Sequence, residues 1–587
     1  MIYFINFLKK INFFIICFFI FEKKIIRINI EKISYFLKYI SITKYVLFKI
    51  NPNKFNPIKS NAFNKFIKIG NFNLKNCKIK KNIKKVMLIE NFIDHPIYTY
   101  TNLVCALLIN KIYNYDLIGI LRKGDIKAEV LFRKFKIKKF IFIKEPNFFE
   151  RLFYIYKAIS LINPKMKIED FCKLKYNKID VGLSSYDTYI RYTRAPTLKE
   201  VDAEILVILA NCLHKIDFLK KKIFFNKNIK KSIQSETVFN PLNSYFQLSL
   251  INKIEVYSRC LQEEISIRKY TAWNQRYLYR YNISQKMFDY VYKNEKNSKN
   301  KVIYKYFKKG LENKSFGPDP TITYLVKKNK KTYNKKEILN IFKWKNKPIV
   351  CFFLNHLIDR NFHNGPRTNF KDNYTWTKFL LNKIPELRNV NWIIKLHPFE
   401  KSYKAKENFL NEIRFLEKKY DHIKLFPKKI NNISLIKCVD VAITSHGTAG
   451  IEYPAFGINS IYVDNSTYSN LNFIKMLKNK KEIISTLNKI HKLKPLNKSN
   501  ILKCQTYLYI QQVLLKSKCS LFSKDDTSRK INEESFWNKC NYNLKKFDLK
   551  KDVFFRMLNL QIKYNMRHTL NTDKLKIKSL NLNDYSD

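Results

Sequence analysis

The chain has 587 residues, of which 46% are hydrophobic and 15% aromatic. This composition excludes an intrinsically disordered protein, and the length is sufficient for two domains of ordinary size. Lysine and arginine outnumber aspartate and glutamate by 112 to 47, a formal net charge of +65. Because the basic residues are spread along the whole chain and no nucleic-acid-binding motif accompanies them, nucleic acid is the less favoured partner.

The eleven cysteines include no CxxC pair, so the sequence predicts neither a zinc site nor a disulfide framework, and a cytoplasmic location fits best. The apolar run at residues 13–21 is too short to cross a bilayer, and no signal-peptide cleavage site follows it. We therefore expect residues 1–83 to form an extension, either an interfacial anchor on the cytosolic face of the membrane or a buried helix.

Elements of an α/β layer begin after this extension. The apolar run at 86–89 predicts a strand, 98–112 a helix, 139–143 a strand and 201–215 a helix. These elements predict an amino-terminal Rossmann-like domain over residues 84–335. The polar stretch at 327–336 is the predicted linker.

The alternation is clearest in the predicted carboxyl-terminal domain, residues 340–523. Strands are predicted at 349–354, 392–396, 423–426, 439–444 and 460–463. Helices are predicted at 374–384, 402–419, 432–437 and 448–456. Strands separated by helices indicate a parallel, doubly wound sheet, which binds ligands at the carboxyl ends of its strands. Residues 524–587 form a tail without a motif.

Polar residues follow three of these strands. They are His356, Asp359, Lys395, His397, Ser445, Gly447, Thr448 and Glu452. The segment TSHGTAGIEYPAFG (444–457) predicts a turn whose backbone N–H groups cradle a phosphate at the start of a helix, with Glu452 free to accept from a sugar hydroxyl. An ordinary helix cap, a solvated Glu452 and a structural His-Pro turn at His397 are the alternatives.

Three motifs in order carry a family resemblance: NHLIDRNF with the following Tyr374-Thr375-Trp376, then NVNWIIKLHP (389–398), then DVAITSHGTAGIEYPAFG (440–457). Together they resemble the carboxyl-terminal half of bacterial capsule and surface-polysaccharide biosynthesis proteins with a GT-B glycosyltransferase fold. The segment SYDTYIR (185–191), which contains Asp187, is similar to a YDTYLR-type segment of the same proteins. The resemblance does not extend before residue 84.

The resemblance implies an α/β fold of two facing Rossmann-like domains and transfer of a sugar from a nucleotide sugar to a glycan or glycolipid acceptor. The carboxyl-terminal domain would bind the donor through His397, Ser445, Gly447, Thr448 and Glu452, and the amino-terminal domain would bind the acceptor. No DxD motif is evident, so we expect a metal-independent site without a further cofactor. The segment YVDNS (462–466) stands where a glycine-rich turn is usual in the family, so the resemblance does not indicate which nucleotide sugar is the donor.

The amino-terminal half departs too far from the family for its catalytic base to be carried over. A base must reach an acceptor hydroxyl, so acidic or histidine side chains at strand ends are the candidates. Glu90, Asp94 and His95 fit this description, with Asp187 as a second choice. The alternative for Asp94 is that it caps a turn.

Other functions fit parts of the pattern. A polyol-phosphate transferase or a nucleotide-sugar epimerase would use a similar phosphate cradle. Two further alternatives are not enzymes. One is a protein that binds nucleic acid or a membrane surface through its basic charge, and the other is a relative that binds sugar nucleotides without turnover.

Overall fold

The computed structural model describes residues 2–52, 54–69, 85–162, 166–225, 228–261, 264–279, 281–294, 331–401, 404–521 and 532–574. The chain divides into two compact units. The first comprises Met1–Tyr189, Lys199–Arg276 and Ser517–Leu570, and the second comprises Ile190–Leu198, Tyr277–Lys516 and Asn571–Asp587.

The strands, in chain order, are β1 (Val86–Asn91), β2 (Asp116–Arg122), β3 (Lys139–Ile143), β4 (Lys175–Tyr176), β5 (Ile179–Asp180), β6 (Ile229–Gln234), β7 (Glu255–Leu261), β8 (Ile265–Tyr270), β9 (Ile349–Phe353), β10 (Asn391–Lys395), β11 (Ile423–Leu425), β12 (Val441–Thr444) and β13 (Asn459–Tyr462). The α-helices are α1 (Ile2–Tyr39), α2 (Ile42–Ile50), α3 (Asn61–Ile69), α4 (Pro96–Tyr113), α5 (Ile126–Lys134), α6 (Phe148–Ser160), α7 (Ile168–Cys172), α8 (Val181–Thr193), α9 (Ala203–Leu219), α10 (Leu242–Ile251), α11 (Gln285–Asn294), α12 (Lys335–Phe342), α13 (Asn373–Lys383), α14 (Leu410–Lys419), α15 (Ile433–Cys438), α16 (Ala449–Glu452), α17 (Lys480–Asn488), α18 (Lys498–Tyr509), α19 (Glu533–Lys546) and α20 (Val553–Lys563).

The first unit is built on a six-stranded sheet of order β3-β2-β1-β6-β7-β8, in which only the β7–β8 pair is antiparallel. Its central strand, β1, is buried along its whole length, as expected for a parallel strand covered on both faces. Pro96 fixes the first turn of α4, and Asn114 ends that helix in the left-handed conformation. Strand, loop and helix thus follow one another as predicted.

The described residues of the predicted amino-terminal extension and residues 532–570 of the predicted tail belong to the first unit, and residues 571–574 belong to the second. Helix α1 packs against α6 and α9, and α3 packs against α19. The indole of Trp537 in α19 lies 4.9 Å from the Phe63 ring and 5.1 Å from the Phe66 ring, centroid to centroid. Residues 70–84, residues 327–330 of the predicted 327–336 linker and residues 575–587 lie outside the described residues.

The second unit contains a five-stranded sheet of order β11-β10-β9-β12-β13 with every pair parallel. Successive side chains of β9 point to opposite faces of the sheet and pack into different hydrophobic clusters. Val350 and Phe352 lie in one cluster, and Ile349 and Cys351 lie in the other. Both units therefore have the α/β, Rossmann-like architecture that the sequence predicts.

Two helix predictions in the second unit are too long. The helix predicted at 402–419 is only α14, which starts at Leu410 after Asn408 Oδ1 accepts the Leu410 N–H at 2.9 Å. The helix predicted at 448–456 is broken into α16 and a 3₁₀ turn, Pro454–Phe456, because Pro454 has no N–H to donate. Gly457 ends this turn at φ 88°. No described helix combines the length and the apolar character needed to cross a bilayer.

Candidate functional site

The carboxyl edge of the second unit's sheet gathers four of the nine histidines of the chain. His356 follows β9 and His397 follows β10, and their rings are 5.2 Å apart, centroid to centroid. His446 follows β12, and its ring lies 5.2 Å from that of His363, in the loop after β9. Parallel strands end at the same edge, so residues separated by up to ninety positions meet there.

A buried arginine, Arg367, organises the β12 and β13 side of this edge. Its Nη2 lies 2.6 Å from Asp464 Oδ2, and both side chains are almost completely buried, with 3% and 2% exposed. The guanidinium also donates to Asn373 Oδ1 at 2.8 Å and to His446 Nδ1 at 3.2 Å. Sequence reasoning missed Arg367. The HNGPR segment (363–367) could have drawn attention to this arginine, because Gly365 is one of only ten glycines in the chain. In the structure Gly365 adopts φ +91°.

Ser445 is fully buried, so the structure does not support the prediction that it donates to a phosphate. Arg367 Nη2 donates to its hydroxyl, which in turn donates to Asp464 Oδ2 at 3.2 Å. The Ser445 N–H donates to Asn355 Oδ1 at 3.0 Å. Ser445 therefore holds the end of β12 in place.

The turn after β12 is packed too closely for larger residues. A Cβ on Gly447 would lie 2.8 Å from Thr444 Oγ1, and a Cβ on Gly450 would lie 2.1 Å from Tyr468 Oη. That hydroxyl donates to the Gly447 carbonyl at 2.9 Å. The glycines thus allow the turn to approach the protein interior closely.

The N–H groups of the predicted phosphate cradle differ in their hydrogen bonding. The Gly447 N–H points to Thr444 Oγ1 at a long 3.3 Å. Within the described residues, no hydrogen-bond acceptor is found for the N–H groups of Thr448 and Ala449. Helix α16 has only four residues, so its dipole is weaker than that of the longer helix expected from the sequence. The cradle consists of backbone donors.

His397 is held neutral at physiological pH. Burial is the main cause that lowers its pKa to about 3, and the nearby His356 and Lys395 add to this effect while Asp359 opposes it. A neutral imidazole donates through one ring nitrogen and accepts through the other. His397 can thus hydrogen-bond a phosphate but supplies no positive charge in the unliganded protein.

Positive charge is instead concentrated around Asp359. Burial alone would raise the pKa of this carboxyl, but the guanidinium groups of Arg360 and Arg191 outweigh it and lower the pKa to about 2. Arg191 Nη1 lies 3.7 Å from Asp359 Oδ1, and Arg360 Nη2 lies 3.4 Å from Oδ2. About a quarter of each arginine side chain is exposed. One carboxylate between two guanidinium groups leaves a net positive group that an anion can approach.

Glu452, on the last residue of α16, has a perturbed carboxyl group. Burial raises its pKa to about 7, and a hydrogen bond from Thr448 opposes the shift. A carboxyl that titrates near neutral pH both donates and accepts hydrogen bonds there, which suits contact with a hydroxyl group.

Glu90, in the first unit, is placed unfavourably for the predicted role of a base. Its side chain is fully buried in β1, and its oxygens accept from the Phe92 N–H at 2.5 Å and from the Ser235 N–H and hydroxyl at 3.0 Å each. Burial raises its pKa and these hydrogen bonds oppose the change. Glu90 ties β1 to the loop after β6 and is not accessible to an acceptor.

Asp94 is accessible. Its side chain is 55% exposed and lies 3.0 Å from Arg122 Nη2. It lines a cavity of roughly 230 Å³ together with Asp125, Tyr35, Tyr39 and Trp537. His95, at the start of α4, stacks edge-on against Tyr98 at 5.6 Å between ring centroids. Burial and Asp94 raise the pKa of Asp125 to about 7, and Arg122 opposes this shift, so the cavity also contains a carboxyl group that titrates near neutral pH.

Asp187 is buried in α8 with 1% of its surface exposed. It belongs to the first unit, whereas His356, Asp359, Lys395 and His397 belong to the second. The described residues contain no group of three or more His, Cys, Asp or Glu side chains placed to hold a metal ion.

Comparisons with known proteins give structural likenesses alone. No protein-family profile and no curated protein matches the chain. Among solved structures, the chain is similar to KpsC, a beta-Kdo 2,4-transferase from Thermosulfurimonas dismutans, with 11% identity and a TM-score of 0.30 over 48% of this chain and 79% of that one. It is also similar to a UDP-forming alpha,alpha-trehalose-phosphate synthase from Burkholderia vietnamiensis, with 9% identity and a TM-score of 0.25 over 79% of this chain and 98% of that one.

Proposed function

We propose that this protein is a glycosyltransferase that binds a nucleotide sugar at the carboxyl edge of the second unit's sheet and transfers the sugar to a glycan or lipid-linked acceptor in surface-polysaccharide synthesis. The observation that carries the proposal is the meeting, at one edge, of the His356–His397 pair, the open N–H groups of Thr448 and Ala449, and the Arg191–Arg360 pair. The sequence motifs described above lie on these same elements.

Each group has a distinct task in this proposal. The backbone N–H groups and His397 hydrogen-bond the phosphate or diphosphate of the donor, and Arg191 and Arg360 balance its charge. Glu452 bonds a hydroxyl of the ribose or the sugar. As the glycosidic bond to the nucleotide breaks, negative charge grows on the leaving phosphate, and donors already aimed at that position stabilise the transition state. This chemistry uses the protein's own donors in place of a bound cation.

Asp94 is the proposed acceptor-side base, because it is the accessible one of the three carboxylate candidates in the first unit, Glu90, Asp94 and Asp187. Its carboxylate would take the proton of an acceptor hydroxyl bound in the first unit. If the reaction retains configuration, no base need act on the acceptor in this way.

Release of free nucleotide from UDP-, GDP- and CMP-activated sugars, measured with and without glycan acceptors, tests the proposal. We expect turnover with one nucleotide series, and a loss of about a hundredfold on His397→Ala or Glu452→Ala, the usual effect of removing one transition-state contact. His422→Ala is the matched control, since His422 directly precedes β11 at the opposite edge of the sheet. Full activity with both His397 and Glu452 replaced would exclude this site.

A further inference from the structure

Helix α1 has one face that packs onto the first unit. Cys17, Phe21 and Ile25 are buried on it at intervals of four residues. The Cys17 thiol lies 3.9 Å from the Ala203 carbonyl at the start of α9, and Glu22 forms an ion pair with Arg151 of α6. These contacts hold the helix against the unit, so its orientation is fixed and one side is turned outward.

The outward side of α1 is apolar. Its large side chains are 41% to 67% exposed. They are Ile11, Ile15, Ile16, Phe19, Ile26, Ile30, Ile33 and Leu37. Their separations of mostly three, four and seven residues place them on one face of the helix. At 1.5 Å per residue, this stripe is about 40 Å long. Single exposed apolar residues are ordinary, but a continuous stripe of this length marks an interaction surface.

Neighbouring helices extend the stripe. The Phe36 ring of α1 lies 4.9 Å from the Tyr45 ring of α2, centroid to centroid. Helix α2 has four large apolar side chains that are 41% to 76% exposed: Ile42, Val46, Leu47 and Ile50. At the other end, Phe18 of α1 lies 5.3 Å from Phe148 of α6, and the exposed aromatic residues continue along α6. They are Phe148, Phe149, Phe153 and Tyr156, 49% to 78% exposed. The exposed residues of α1, α2 and α6 together are called the apolar surface below.

Basic residues border the apolar surface. Between positions 11 and 50 the sequence has seven lysines and arginines and two glutamates. The exposed ones are Lys23, Arg27, Lys32, Lys38, Lys44 and Lys49. Of the two glutamates, Glu31 pairs with Arg27 at 3.1 Å and Glu22 with Arg151. The surface thus combines apolar side chains with an excess of positive charge.

We propose that the apolar surface binds an anionic phospholipid bilayer, with α1 lying in the headgroup region. Apolar side chains that enter the interface and lysines that contact anionic headgroups are the two contributions that hold such helices at a membrane. A second copy of the chain is the less suitable occupant, because a two-fold contact would bring the same basic borders together. The proposal does not depend on the proposed glycosyl transfer.

Co-sedimentation of the full chain with vesicles tests this proposal. We expect binding to vesicles of phosphatidylcholine with phosphatidylglycerol, and weaker binding to phosphatidylcholine alone. Replacing four residues of the stripe (Phe19→Ser, Ile26→Ser, Ile30→Ser and Ile33→Ser) should weaken binding to anionic vesicles by about tenfold or more, since binding scales with the apolar area that is buried.

A matched control replaces exposed apolar residues of the second unit, Ile341→Ser, Phe415→Ser and Ile484→Ser, which are 39% to 60% exposed. This variant should bind vesicles like the wild type. Equal binding by the four-residue variant would overturn the proposal and assign the attraction to general basic charge. Absence of vesicle binding, together with a dimer in light scattering that the four-residue variant abolishes, would overturn it in favour of a second copy. Unchanged circular dichroism of the variants checks their folding.

Discussion

At the scale of single residues, burial distinguishes residues that hold the candidate site from residues that can touch a ligand. Ser445 and Glu90 were predicted to act on a ligand, but both are fully buried and fully engaged. Position after a strand is visible in a sequence, whereas the hydrogen bonds that occupy a side chain are not. Arg367 was missed for a related reason, because its loop has no periodic pattern and its partners are up to 97 positions away.

Replacing Arg367 should destabilise the second unit strongly. Arg367→Met leaves Asp464 buried without its cation, and breaking a buried ion pair by removing one partner costs about 3–5 kcal/mol. A second change, Asp464→Asn, removes the unpaired charge and should restore part of the loss. Thermal unfolding of the two variants and of their combination measures the effect. If Arg367→Met unfolds at the wild-type temperature, the ion pair contributes no stability.

Glu452 should make stability depend on pH. Its pKa is raised by burial to about 7, above the value of about 4.3 in an unfolded chain. Between these values the unfolded chain has released the proton while the folded protein keeps it, so stability falls as pH rises through this window. Glu452→Gln removes the effect, and its stability relative to wild type should increase from about pH 4.5 to 7 and then level off. A difference that stays constant across the window would contradict the raised pKa.

At the scale of elements, strands were predicted better than helices. The strands of the second unit begin and end within about two residues of their predicted positions, because short apolar runs between polar turns have few alternative conformations. The helices at 402–419 and 448–456 were overextended, because helical periodicity persists through segments that local hydrogen bonds and Pro454 break. The parallel order of the sheet followed from the strand–helix alternation.

The turn after β12 should tolerate no side chain at Gly450. Gly450→Ala places a Cβ 2.1 Å from Tyr468 Oη, and such overpacking costs about 1–3 kcal/mol. Tyr468→Phe removes that oxygen, so Gly450→Ala should cost less when both changes are present. A double-mutant cycle by thermal unfolding, with Tyr468→Phe alone as the reference, measures this coupling. Strictly additive effects would show that the contact is relieved elsewhere.

At the scale of the whole molecule, each unit is assembled from separated segments of chain. The sequence predicted terminal extensions because residues 1–83 and 524–587 carry no motif. The described residues of the first extension and residues 532–570 of the second lie in the first unit, and residues 571–574 lie in the second unit. Contacts such as that between Phe63 and Trp537, 474 residues apart, leave no local signature in the sequence. Fold class was therefore predictable from local pattern, while membership of the units was not.

Trp537 should stabilise the first unit without affecting ligand binding in the second. It is 1% exposed and lies among Phe63, Phe66, Tyr100 and Phe536, so Trp537→Ala should cost about 3–5 kcal/mol. Hydrogen exchange should then rise in α3 and α4 and stay unchanged in β9 to β13. Tyr542→Ala, at a residue 58% exposed on the same helix, is the control. Faster exchange in the second unit's sheet would contradict independent units.

The most direct test of the candidate site is a thermal-shift screen of the purified chain against CMP, UDP, GDP and their sugar derivatives. A ligand that binds only the folded state adds about 2.7 kcal/mol to the free energy of unfolding when its concentration is a hundred times its dissociation constant. The unfolding temperature rises as a result. We predict a shift with one nucleotide series that persists in His422→Ala and is lost in His397→Ala. A shift that His397→Ala retains, or no shift with any of these ligands in the folded protein, would contradict the nucleotide-sugar site.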